Sequence, residues 1–156
     1  MIRANRIHLS ELMLFGVVIV QSLILARGVR PLAARVWELR GVPSLERSAR
    51  IAFGDEFGGF IGFVRARVPL DESRLVVPGM DVNATFGNVG LMLYFLYPLD
   101  IRDCPAGPDL PACVRSYVGE QTYILRVGEF PPADSVPPSK EYSPYSTDLG
   151  LYVPRR

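Results

Sequence analysis

One run of residues limits what this chain can become. Leu12 to Ala26 is fifteen consecutive uncharged residues, ten of them Leu, Ile, Val or Phe. As a helix this run covers roughly 23 Å, short of the roughly 30 Å hydrocarbon core of a bilayer. Extending it back to Ile7 gives twenty residues and the missing length, with His8 and Glu11 near one set of headgroups. Arg27 and Arg30 are then placed to snorkel at the other end. Two other readings compete. Arg3 and Arg6 are the basic start a secretory signal needs, but neither Leu25-Ala26-Arg27 nor Leu32-Ala33-Ala34 makes a good cleavage site. A buried core helix would carry polar residues at helical spacing through the run, and none recur that way. The expectation is a single transmembrane anchor with its amino-terminal flank in residues 1–30, then a juxtamembrane connector at 31–43. Pro31 predicts the start of a short second helix there. Trp37 with Arg35 and Arg40 suits a membrane interface and an ordinary amphipathic connector equally.

Charge does little to orient the anchor. Arg3, Arg6 and the terminal amine, less Glu11, stand on one side; Arg27, Arg30 and Arg35 stand on the other. The two cysteines break the tie. Cys104 and Cys113 enclose an eight-residue loop with three prolines and a glycine, whose ends can meet at disulfide distance. Closing it would stabilise the fold by about 2.5–3 kcal/mol in the chain-entropy model. There is no C-x-x-C, no haem-attachment motif and too few further ligands for zinc. The remaining alternative is a pair of unrelated thiols in a reducing compartment. A disulfide implies an extracytoplasmic body and a cytoplasmic amino terminus.

Ser44 is placed to cap a long helix running to about Arg67, stopped by Pro69. Its apolar residues recur at spacings of three and four, from Leu45 to Val68. Gly54, Gly58 and Gly62, four apart, form a helix-packing ridge where another backbone can approach closely. Each costs about 1 kcal/mol in a helix interior, so they require a packing reason. A contact inside the domain and a contact with another chain both supply one. Arg74–Pro78 reads as a buried strand, Val89–Tyr97 as a helix, Leu99–Arg102 as a short strand and Gln121–Val127 as another strand. The expected fold at 44–128 is therefore a small α/β body with a mostly parallel sheet of about three strands.

Several of these segments carry a resemblance. Phe53-Gly54-Asp55-Glu56-Phe57, Phe60-Ile61-Gly62-Phe63-Val64-Arg65, Val68-Pro69, Val76-Val77-Pro78 and Tyr94-Phe95-Leu96-Tyr97-Pro98 together resemble a group of bacterial membrane-anchored proteins. That resemblance, over residues 45–128, implies an amino-terminal hydrophobic helix followed by a compact extracytoplasmic α/β domain. It implies no catalytic residue.

Residues 129–156 change character, with six prolines and three tyrosines. The composition predicts an extended Pro-rich tail, with Tyr142, Tyr145 and Tyr152 as anchors on a groove.

The chemistry-bearing residues are few. Among 156 residues there is one histidine, His8, on the expected cytoplasmic flank, so a Ser/His/Asp arrangement in the body is excluded. Paired carboxylates stand at Asp55-Glu56, Asp71-Glu72 and Asp100/Asp103; Asp55-Glu56, beside aromatic residues, is weighed for acid–base work, and a solvated helix face accounts for it as well. Gly79, Gly87 and Gly90 lack phosphate-loop spacing, and the single lysine, Lys140, lies in the tail. Residues 51–156 hold nine basic against thirteen acidic side chains, which argues against a nucleic-acid partner.

These readings lead to a non-catalytic accessory subunit of a larger bacterial membrane complex, with a respiratory or photosynthetic electron-transfer assembly as one host class. It would hold no cofactor and no metal. It would meet other integral membrane subunits and the lipid bilayer through its anchor and its tail. The alternative is an independent membrane-anchored module that binds a small ligand or envelope glycan near Pro78–Gly87.

Overall fold

The computed structural model describes residues 9–155; Arg3, Arg6, Ile7 and His8, named above, lie outside them. The chain divides into two compact units after Val42. The first is built on one helix, α1 (Leu9–Glu38). Its segment Phe15–Glu38 is long and apolar enough to cross a membrane, and none of its most apolar stretch is buried. The expected break at Pro31 does not occur: α1 continues through Pro31 to Glu38. At about 1.5 Å per residue, that continuation extends the helix by roughly 12 Å beyond Arg30. Near its end the Arg40 guanidinium lies 4.6 Å over the Trp37 ring.

In the second unit, α2 (Ser44–Phe53) and α3 (Asp55–Arg67) replace the single helix expected over 44–67. The break falls at Gly54, whose φ of 91° is a conformation that a side chain would strain. Strand β1 (Arg74–Pro78), helix α4 (Val89–Leu96) and strand β2 (Asp100–Cys104) follow. Asn88 caps α4 by accepting from the Leu91 N–H. Helix α5 (Leu110–Tyr117) begins inside the loop between the cysteines, with Pro111 in its first turn, and leads to β3 (Thr122–Val127).

The sheet has five strands, not three. Residues 129–155 do not form a tail: after a 3-10 turn at Ala133–Ser135 they build β4 (Lys140–Pro144) and β5 (Leu149–Pro154). The order is β2-β1-β3-β5-β4. Strand β1 runs parallel to β2 and β3, and β5 runs antiparallel to β3 and β4. The fold is thus mixed α/β. The prolines that suggested an extended tail sit before β4 or at strand ends, positions where a missing N–H costs little.

Alternation along the strands divides the core into two layers. Leu75, Val77, Ile101, Leu125, Leu149 and Leu151 face α2–α4, where Phe57, Phe60, Ile61, Val64, Met92, Phe95 and Leu96 pack. Val76, Ile124 and Cys104 face Val114 of α5 and Phe130. Helices therefore cover both faces of the sheet, which the parallel β2-β1-β3 portion requires.

Candidate functional site

Cys104 ends β2 and Cys113 lies in the first turn of α5; the two are joined as a disulfide with Cα atoms 5.8 Å apart. Both thiols are consumed, leaving no thiolate for nucleophilic chemistry. Among the described residues no group of three or more His, Cys, Asp and Glu side chains is arranged to hold a metal ion.

The Asp55–Glu56 pair opens α3 and is exposed. Asp55 Oδ1 lies 3.6 Å from Arg50 Nη1, while Arg50 Nη2 donates to Glu46 Oε1 at 2.6 Å. Tyr145 packs beside this network against Phe60 and Phe63, at 5.8 and 5.3 Å between ring centroids. Burial pushes the Tyr145 hydroxyl above its ordinary pKa, against the opposing pull of Arg50. The arrangement ties α2 to α3 through charge.

The glycine ridge is covered from within the unit. A Cβ at Gly58 would meet the Arg50 backbone, and one at Gly62 would meet the Glu46 carboxylate. Gly54 is not on the ridge, since it forms the break between the two helices. The tyrosines expected to anchor a tail are built into the sheet region. Tyr142 and Tyr152 face each other across β4 and β5 with rings 5.3 Å apart, and the Tyr145 hydroxyl lies against the Gly59 backbone.

The carboxyl ends of β1 and β2, near the position expected for a ligand cleft, are closed by the chain itself. The Gly79 N–H donates to the Cys104 carbonyl at 2.7 Å, and Asp81 accepts from the Ala106 N–H at 2.8 Å. Asn83 accepts from the Thr85 and Phe86 N–H groups, and a Cβ at Gly87 would strike the Gly79 carbonyl. A cleft of about 330 Å³ opens instead at the amino ends of the parallel strands, lined by Asp71, Glu72, Ser73, Arg74, Asp100 and Gln121 among others. Arg74 Nε bonds Asp100 Oδ2 at 2.7 Å, and Arg102 Nε meets Asp100 Oδ1 at 2.9 Å. Burial pushes the Asp100 carboxyl up, but the Arg74 hydrogen bond and the charge of Arg102 outweigh it and hold the pKa below its ordinary 3.8. Ser73 is 5% exposed, and among the described residues its hydroxyl has no hydrogen-bond partner.

Two features escaped the sequence reading. One is Lys140, 6% exposed, whose ammonium donates to the Thr122, Gly119 and Glu120 carbonyls at 2.6, 2.8 and 3.4 Å. Lys140 thereby supplies a donor to the carbonyl of Thr122, itself 3% exposed. No charge pattern signals this, because the lysine stands among prolines and serines.

The other is the outer face of α4. Gly90, Leu93 and Tyr94, at helical spacing, are exposed, as is the C-cap residue Tyr97, while Met92, Phe95 and Leu96 are buried. Neither face of α4 carries a charged side chain. Phe53, also exposed, lies 6.0 Å from Phe95 between ring centroids, and Tyr94 lies 4.9 Å from it. Arg65 donates to the Phe95 carbonyl at 2.9 Å. Phe53 and Tyr94 thus flank the buried Phe95 ring, and Leu93 and Tyr97 are exposed beside Tyr94 in the chain.

Comparison of the chain with protein-family models, with curated proteins and with solved structures finds no match.

Proposed function

We propose that the protein is a single-pass, non-catalytic accessory subunit of a bacterial membrane complex, its amino terminus cytoplasmic and its α/β body extracytoplasmic. The observation that carries this reading is the apolar helix segment Phe15–Glu38, whose large side chains, Phe15, Ile24 and Leu25 among them, stay exposed. A helix apolar around its circumference and unburied by its own chain needs lipid or neighbouring helices to cover it. The disulfide supports the oxidising side for the body. The sheet incorporates Lys140–Pro144 and Leu149–Pro154, so the partner contacts of this reading rest on the anchor. Electron-transfer complexes are one host class, and the subunit holds no redox centre in that role.

Purification of the full chain in mild detergent, with mass spectrometry of what elutes with it at fixed stoichiometry, tests the reading. Integral membrane subunits that persist through two orthogonal columns are expected. A chain that runs alone and monomeric overturns the subunit role. Carbonate washing that strips it from vesicles overturns the anchor.

The cleft at Asp71, Glu72 and Gln121 favours a second reading, a membrane-anchored module that binds a polyol or envelope glycan. Carboxylate and amide groups beside Arg74 are suited to sugar hydroxyls. Glycan binding that disappears in Glu72→Gln and Gln121→Ala variants of unchanged stability would support it.

A further inference from the structure

We propose that the outer face of α4, with Phe53 beside it, seats in the interfacial layer of the bilayer that α1 crosses. The proposal rests on the membrane-anchor reading above.

A surface helix of a soluble domain ordinarily turns a polar face to water. Helix α4 does not. Its exposed residues Gly90, Leu93 and Tyr94 follow the spacing i, i+3, i+4, the C-cap residue Tyr97 just beyond them is exposed as well, and Tyr94 and Tyr97 are 68% and 75% exposed. Exposed apolar and aromatic side chains on an uncharged helix mark an interaction surface. Its composition selects the occupant. Two tyrosines, each an apolar ring ending in a hydroxyl, beside Leu93 and Phe53, match the headgroup level of a bilayer, where one end of the ring is dry and the other wet.

The covalent tether keeps this occupant within reach. From Glu38 to Ser44 is six residue steps, at most about 20 Å of chain. Counting from Arg27, the first charged residue after the apolar run, the chain leading to the body spans at most roughly 40 Å. At that distance the bilayer is present at high effective concentration, so a shallow apolar contact suffices. Charge contributes little, because Arg65 lies at the α4 end of the patch and Asp55 and Glu56 follow Phe53. Docking is therefore indifferent to anionic lipid.

The test uses the full chain, reconstituted alone in phosphatidylcholine vesicles with and without acyl-chain-brominated phosphatidylcholine, which quenches nearby tryptophan. Trp37→Phe/Tyr94→Trp places the only tryptophan on the patch; Trp37→Phe/Tyr117→Trp places it on α5, which packs on the opposite sheet face. The expected result is loss of most emission from position 94 in brominated vesicles, little loss from position 117, and no change when one third of the lipid is phosphatidylglycerol. Equal emission from position 94 in both vesicle types, with the protein still resistant to carbonate, overturns the docking and leaves the anchor standing. Release by carbonate overturns the anchor and the docking with it.

Discussion

The backbone of Arg50 runs directly over Gly58. A Cβ built on Gly58 would come within 2.6 Å of the Arg50 nitrogen and 2.8 Å of its Cα, closer than real side chains approach. Backbone cannot swing aside as a side-chain tip can, so Gly58→Ala must push α2 off α3. Overpacking of this kind costs about 1–3 kcal/mol or more. Gly90→Ala is the control. Its nearest neighbour would be Asn88 Oδ1 at 3.5 Å, an ordinary contact, and removing a helix glycine gains up to about 1 kcal/mol. Urea titration of the two variants should therefore give shifts of opposite sign. If Gly58→Ala leaves the midpoint unmoved, the close approach is wrong.

Lys140 presents a different balance. Lys140→Met keeps the side chain's bulk but strips the buried Thr122 carbonyl of its donor, which should cost about 1–3 kcal/mol at neutral pH. Gly119 and Glu120 are exposed, so water can replace the lysine at their carbonyls. Burial also lowers the Lys140 pKa below its ordinary 10.5. Between the native and unfolded values the unfolded chain holds more protons, so wild-type stability rises with pH as 10.5 is approached. The variant has no such proton. The gap between wild type and Lys140→Met should therefore widen over that window, as denaturation at pH 7 and pH 10 would reveal.

Asp100 works in the opposite range. Its native pKa is lowered, so its contribution is complete above the ordinary value of 3.8 and is lost as pH falls through the native value. Arg74 and Asp100 are 40% and 38% exposed, so solvent screens the pair and Asp100→Asn should cost no more than about 0.2–1 kcal/mol at pH 7. The difference from wild type should shrink to nothing once the pH is below the native pKa. A deficit that persists in acid would show that the substituted amide harms packing and that the ion pairs contribute nothing.

The sequence displays some parts of this fold and hides others for physical reasons. Arg74–Pro78, Val89–Leu96 and Thr122–Val127 are legible because each is a clean apolar run stopped by proline or glycine. The Gly54 break is hidden because glycines four apart suit a helix ridge, and only the backbone angle distinguishes a hinge from a contact. Strands β4 and β5 are hidden behind their prolines. Leu149-Gly150-Leu151-Tyr152-Val153 nonetheless carries the apolar character of a strand, and Leu149 and Leu151 are its core face. The cysteine spacing is visible along the chain, whereas the α4 surface is not: an apolar helix reads as buried until its neighbours are known.

The strongest consequence of that hidden pairing concerns residues 129–156. Strand β5 lies between β3 and β4, so a chain ended after Gly128 loses an interior strand and its outer neighbour together. Leu149 and Leu151 leave the core, at about 2–5 kcal/mol for each large apolar side chain removed. Leu125 and Ile124 lose the strand beside them, and the Phe60–Phe63 pair loses Tyr145. That sum reaches the whole margin of about 5–15 kcal/mol of an ordinary domain. The truncated chain should still enter membranes through α1, yet show no cooperative unfolding and rapid proteolysis of the body. A peripheral tail would behave otherwise, leaving a protease-resistant core over residues 44–128. Limited proteolysis in detergent separates the two outcomes, and a resistant core would contradict the five-stranded sheet.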